Sequence, residues 1–152
     1  MSDQSGLQRS KGIKRFVRAT RHPRAADPTA AIPLFEGLSK KQRRFASQQL
    51  TTVAVPAGTL LAQEGTRGDE FFVLLEGQVG VFRSGAAIAT RGPGSPLGEM
   101  ALLEGGPRTA TLIAKTPVST LVSSKQEFAS LLIAAPRFSE RLRALAAERR
   151  QA

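Results

Sequence analysis

The stretch Gly98-Glu99-Met100-Ala101-Leu102-Leu103-Glu104-Gly105-Gly106-Pro107-Arg108-Thr109-Ala110-Thr111 concentrates the chemistry of this chain. One carboxylate, Glu99, and one guanidinium, Arg108, stand on either side of a short apolar segment. Glycines at its edges let backbone approach a ligand closely. A singly charged phosphodiester suits this set. An arginine offers its oxygens a planar fork, and backbone N–H groups add to it. A ribose hydroxyl would donate to the carboxylate. Ala101-Leu102-Leu103 is too short for an ordinary helix, but one turn there would point free N–H groups at an anion.

The elements around this stretch read mostly as strands. Apolar and β-branched runs predict strands over 52–55, 59–63, 71–75, 78–83, 86–90, 109–114 and 118–123. Pro56-Ala57-Gly58, Glu76-Gly77 and Ser84-Gly85 read as turns between them. Eleven of the fourteen glycines lie between Gly58 and Gly106, and short strands punctuated in this way mean an all-β sandwich or barrel. Helices flank it. Ser39 with Gln42 forms a capping-box pattern ahead of a helix ending near Leu50. A second helix is expected over 124–134. A third follows Pro136, with Phe138, Leu142 and Leu145 as its apolar stripe and Arg137, Arg141, Arg149 and Arg150 on or near its other faces. The fold class is therefore mainly β with flanking α: an antiparallel jelly roll with an N-terminal helix and two C-terminal helices.

Composition bounds the function from outside. The 152 residues suffice for one cored domain with flanking helices. There is no cysteine and His22 is the only histidine, which removes thiolate and histidine metal sites and His-dependent triads. With no Walker A sequence either, the chain reads as a non-enzyme needing no cofactor or metal. No apolar run approaches the roughly 18 residues of a membrane span. Without an N-terminal h-region, a cytoplasmic location is expected. The net charge of +10 is uneven. Residues 1–30 carry seven Lys/Arg against two Asp, and 137–152 five Arg against two Glu, while 31–136 are nearly balanced. Residues 1–30 read as a basic, flexible arm, within which Ile13, Phe16 and Val17 stand at helical spacing.

The stretch quoted first resembles the phosphate-binding cassette of the cyclic-nucleotide-binding domain family, in a stand-alone, bacterial-type form. Pro33-Leu34-Phe35-x-x-Leu38-Ser39 resembles the family's entry to the domain. The run from Pro56-x-Gly58 through Gly65-x-x-Gly68-Asp69-x-x-Phe72 to Gly77-x-Val79-x-Val81 resembles its barrel. Phe72 stands where the family often has Tyr, and Leu97 where it often has Phe. The resemblance implies a domain over 31–152, with the barrel at about 51–123 and the C-terminal helices at about 124–150. It implies that Arg108 forks onto the cyclic phosphate and that Glu99 accepts from the ribose 2′-hydroxyl. Gly98, Met100 and Ala101 would offer backbone atoms, and Thr109 and Ala110 would lie beside phosphate and base. Leu61, Phe72, Leu74 and Leu97 read equally as walls of the sugar and base or as barrel core. For a lid over the base, Arg137, Phe138 and Arg141 are candidates by position, with Ala134-Ala135-Pro136 as the hinge.

The implied function is a regulatory sensor of a cyclic nucleotide, cAMP rather than cGMP. It would act without an output domain of its own, through a separate protein effector, with a homodimer through the last helix as an option. Thr109 complicates the choice of purine, since in the family Thr directly after the arginine accompanies guanine. Two other readings are a relative that has lost nucleotide binding and serves as a protein-interaction module, and a nucleic-acid binder using its basic ends. The intact Glu99/Arg108 pair speaks against the first. The brevity of 137–152 speaks against a DNA-reading domain there. Neither nucleic acid nor a membrane is expected as partner.

Overall fold

The computed structural model describes residues 18–20 and 27–151. Two antiparallel sheets face each other. One runs in the order β1 (Arg18–Thr20), β2 (Thr51–Val55), β9 (Val118–Ser124), β4 (Glu70–Glu76), β7 (Pro96–Leu97). The other runs β3 (Leu60–Ala62), β8 (Thr111–Ala114), β5 (Val79–Arg83), β6 (Ala86–Arg91). Three helices lie against the first sheet or at its edge: α1 (Lys40–Gln48), α3 (Lys125–Ala134) and α4 (Pro136–Gln151). A fourth, α2 (Glu99–Glu104), is the short turn expected between Gly98 and Gly105.

Strand β4 shows how one sequence serves two cores. Glu70 through Leu74 are all buried, a continuous run that marks a strand covered on both faces. Side chains alternate, so Phe72 and Leu74 enter the core between the sheets, with Val53, Val79, Val81 and Leu112. Phe71 and Val73 point the other way, into a cluster with Phe35, Phe128, Leu131, Phe138 and Leu142. There Phe71 lies 4.6 Å from Phe128 and 6.0 Å, edge-on, from Phe138, which stacks on Phe35 at 5.1 Å. Strand β9 repeats the division: Val118 and Val122 face the barrel, Leu121 the helices.

Local signals set the helix starts. Ser39 Oγ accepts from Gln42 N at 3.0 Å while Gln42 Oε1 accepts from Ser39 N at 2.9 Å. Ser124 and Glu127 make the same reciprocal pair ahead of α3. Pro136 opens α4. The β5–β6 hairpin turns at Ser84-Gly85, both with positive φ, and Glu64 Oε1 accepts from Ser84 N at 2.8 Å.

Ahead of β2 the chain is fastened in two places. Arg18–Thr20, inside the segment read as an arm, pairs with β2 as an edge strand. Asp27 Oδ1 accepts from Thr29 N, Thr29 Oγ1 and Ser47 Oγ at 2.9, 2.7 and 3.0 Å, and Arg43 lies 3.8 Å from the same carboxylate. The helix considered around Ile13, Phe16 and Val17 lies outside the described residues.

Candidate functional site

A cavity of about 200 Å³ opens between α2, the hairpin β5–β6 and the end of α4. All seven residues singled out from the sequence, Gly98, Glu99, Met100, Ala101, Arg108, Thr109 and Ala110, line it.

Arg108 is held from behind. Its Nη2 donates to Glu70 O at 2.9 Å and its Nη1 to Gly98 O at 3.3 Å. The guanidinium also sits 5.9 Å from the Phe72 ring centroid. Only 6% of the residue is exposed. Two glycines make this possible. A Cβ on Gly98 would lie 2.4 Å from Arg108 Nη1, and Gly98 has φ of 80°, a conformation that suits glycine. A Cβ on Gly68 would lie 2.8 Å from the Cβ of Ala101 and 3.0 Å from Arg108 Cδ. The backbone of Arg108 is pinned by its own N–H to Thr66 O at 2.7 Å and by Gly65 N–H to its carbonyl at 2.9 Å. Burial draws the Arg108 pKa downward, against the carboxylates of Glu70, Asp69 and Glu99, which raise it. A guanidinium stays protonated through such a shift. A guanidinium carries five N–H donors, more than these two carbonyls engage.

Glu99 opens α2 and is 2% exposed. It does not pair with Arg108. Its Oε2 accepts from Arg149 Nη1 at 2.9 Å, and the same nitrogen donates to Pro96 O at 2.7 Å. Arg150 pairs with Glu104 beside it, so the last turn of α4 is fastened to both ends of α2. Arg149 Nε is buried and has no hydrogen-bond partner among the described residues.

The terminal helix differs here from its sequence reading. Buried Phe138, Leu142 and Ala146 define its inner face, and Arg149 continues that face one turn on rather than lying off the stripe. The three lid candidates sit elsewhere, for a packing reason. Phe138 is fully buried in the helical cluster. Arg141 donates to the carbonyls of Pro33, Leu34 and Glu36, and the Arg137 side chain passes close to Gly37. Of the four residues left open between wall and core, Leu97 is both, while Leu61, Phe72 and Leu74 belong to the barrel core and not to the cavity lining.

Sequence reasoning missed Arg83, Arg91 and Arg149. Arg83 Nε donates to Thr109 O at 3.3 Å, and Thr109 itself is exposed. Arg91, at the end of β6, lines the cavity on the side of Glu99 and Arg149. Alternation along β5 and β6 could have flagged Arg83 and Arg91. Nothing local points Arg149 at Glu99. Among the described residues no group of three or more His, Cys, Asp or Glu could hold a metal, and no helix is long and apolar enough to cross a membrane.

A two-sheet antiparallel sandwich with such a cassette and a helix closing on it defines a class of small-ligand regulatory domains. The chain matches the cyclic nucleotide-binding domain family over residues 52–134, and it belongs to that family. It is 38% identical over 123 residues to a cyclic nucleotide-gated potassium channel of Mesorhizobium japonicum, covering 81% of this chain and 34% of the channel. It is 35% identical over 103 residues to a cAMP-dependent protein kinase regulatory subunit of Blumeria graminis, covering 66% of this chain and 26% of that one. The chain thus spans about a third or less of the length of these curated relatives. The crystal structure of Thermus thermophilus catabolite activator protein superposes with a TM-score of 0.70 at 29% identity, covering 78% of this chain and 58% of the other. Membership identifies residues 52–134 as a cyclic nucleotide-binding domain.

Proposed function

We propose that the cavity takes cAMP in preference to cGMP and that α4 carries the response. One observation supports the siting best: a guanidinium 6% exposed and a carboxylate 2% exposed line one cavity from the two sides of α2. Ionised groups are costly to bury, and a ligand with an anion and a hydroxyl uses both. Arg108 donates to the cyclic phosphate, with backbone of Gly98, Met100 and Ala101 alongside. Glu99 accepts from the ribose 2′-hydroxyl through Oε1, since Oε2 serves Arg149. Thr109 and Ala110 lie against the phosphate and base.

The preference for cAMP rests on the relatives, several of which are cAMP-dependent regulatory subunits. A ligand engaging Glu99 shares it with Arg149, so the seat of α4 and occupancy of the cavity are linked. Nucleotide would favour one placement of α3 and α4 by its differential affinity for it. Ala135, between those helices, has φ of −131° and ψ of 80° and serves as the joint. The exposed side of α4 would pass the signal to a protein effector or to a second copy of the chain, in the cytoplasm. Calorimetric titration of the purified protein with cAMP and cGMP tests this. Saturable binding with cAMP tighter supports the reading, tighter cGMP reverses the preference, and no binding by folded, nucleotide-free protein refutes it.

A further inference from the structure

We infer that Arg83 is a positioning residue for Thr109. It holds the Thr109 carbonyl from β5 and so fixes where the Thr109 hydroxyl stands at the cavity. The role this serves is discrimination between purines. The inference rests on the reading of the cavity as a cyclic-nucleotide site.

The bend Thr109-Ala110 lies between two fixed points. Before it, Arg108 donates its N–H to Thr66 O at 2.7 Å and its carbonyl accepts from Gly65 N at 2.9 Å. After it, Thr111 opens β8, pairs with Phe82 of β5, and accepts from Glu64 N through Oγ1 at 3.0 Å. Between these points Arg83 Nε donates to Thr109 O at 3.3 Å. The root of Arg83 is itself held. It ends β5 beside the hairpin turn, where Glu64 Oε1 accepts from Ser84 N at 2.8 Å. Glu64 therefore braces both the strand that carries Arg83 and the strand that follows the bend.

Arg83 and Thr109 both line the cavity, and among the described residues no side-chain partner meets the Thr109 hydroxyl. A hydroxyl accepts as well as donates. Guanine offers a 2-amino donor that adenine lacks. The Thr109 hydroxyl hangs from the backbone that Arg83 holds, so releasing that carbonyl lets the bend rotate and the hydroxyl leave its place. The phosphate seat does not depend on this bond. Arg108 is anchored by its own backbone and by the carbonyls of Glu70 and Gly98. Arg83 thus acts on the reading of the base, through Thr109, and not on the hold of the phosphate.

The test measures dissociation constants for cAMP and cGMP in the wild type, Arg83→Met, Arg83→Lys, Thr109→Ala and the Arg83→Met/Thr109→Ala double variant. The methionine substitution keeps the apolar stem and removes the donor, and Arg83→Gln replaces it should it not fold. Arg83→Met should lower the affinity for cGMP relative to cAMP by about threefold to fivefold, up to the scale of one hydrogen bond. Arg83→Lys, which keeps a donor, should recover part of that ratio. On the Thr109→Ala background, Arg83→Met should leave the ratio where Thr109→Ala put it, because the group being positioned is gone. A ratio that falls further in the double variant would overturn the inference and make Arg83 itself a contact of the base. Equal weakening toward both nucleotides, or an unchanged ratio in Arg83→Met, would overturn it as well, and each leaves the proposed function standing. A wild type that binds neither nucleotide would remove both.

Discussion

Arg149 and Glu99 stand 50 residues apart in the chain and meet through Nη1 and Oε2 at 2.9 Å. One belongs to the last turn of the terminal helix, the other to the first residue of the six-residue turn at the cavity. The pair joins the moving part that the proposed mechanism needs to the group that its ligand needs. Five expectations follow from this site and the fold around it.

Arg108→Ala should weaken cAMP binding by about 2–3 kcal/mol, the loss of charge-assisted hydrogen bonds. Arg108→Lys should recover only part, since an ammonium lacks the planar fork that Gly98 and Gly68 make room for. Calorimetry reads both. An unchanged affinity in the alanine variant means that the anion sits elsewhere.

Removing Arg149 should destabilise the free protein. Arg149→Ala leaves Glu99 buried without its contacting partner, at a cost of about 1–3 kcal/mol. Denaturant unfolding measures it. Saturating cAMP should return part of the loss by offering Glu99 a hydroxyl and by binding only the folded state. Stability equal to wild type in the absence of nucleotide would show that the pair contributes nothing.

Thr109→Ala should discriminate between nucleotides. Thr109 is exposed at the cavity, and among the described residues its carbonyl is engaged by Arg83 and no side-chain partner meets its hydroxyl. Its hydroxyl is free to reach an exocyclic amine. Losing it should cost cGMP about 1 kcal/mol, one hydrogen bond, and cAMP little. Paired titrations check the ratio, and equal losses for both would take base reading away from this residue.

Phe71→Ala should cost about 3–5 kcal/mol, as for other fully buried aromatic residues. Its ring contacts Phe128 and Phe138, so the cavity would open between β4, α3 and α4. Chemical denaturation gives the number. A loss below about 1 kcal/mol would mean that the helices repack around the gap.

Asp27 predicts a pH dependence. Burial alone raises its pKa, but the hydrogen bonds from Thr29 and Ser47 and the charge of Arg43 outweigh it and hold the carboxyl below the ordinary aspartate range. A folded pKa below the unfolded one stabilises the fold above the unfolded value, about 3.9. That contribution disappears as pH falls through the depressed folded value. Asp27→Asn should therefore lower Tm at neutral pH, and the gap to wild type should close in acid. A gap independent of pH would assign the effect to hydrogen-bond geometry rather than charge.

Much of the fold is legible locally. Ser39 with Gln42 and Pro136 mark helix starts because capping and proline geometry are properties of a few adjacent residues. The strands between Thr51 and Ser124 follow from runs of β-branched and apolar residues cut by glycine. Two strands escape such reading. Pro96–Leu97 is two residues long and exists through its pairing with Phe72 and Val73. Arg18–Thr20, the short run Arg-Ala-Thr, carries no apolar strand pattern of its own and pairs with the edge of β2.

The site divides along the same line. Gly98 to Ala110 is one continuous segment, so residue types and spacing are enough to single out Glu99 and Arg108 on the two sides of one short turn. The seat of the Arg108 guanidinium is supplied from farther off, by the Glu70 carbonyl, the space at Gly68 and the Phe72 ring. Which charges surround Glu99 is a different kind of fact. Arg91 arrives by a sheet and Arg149 by a helix 50 residues away, and their approach depends on how β6 and α4 pack. The same packing buries Phe138 and turns Arg141 onto backbone carbonyls, away from the cavity. Sequence by itself determined the cassette, because its chemistry is local. Tertiary structure alone decided what closes over it, because long-range contacts are chosen by the whole core and not by the residues that make them.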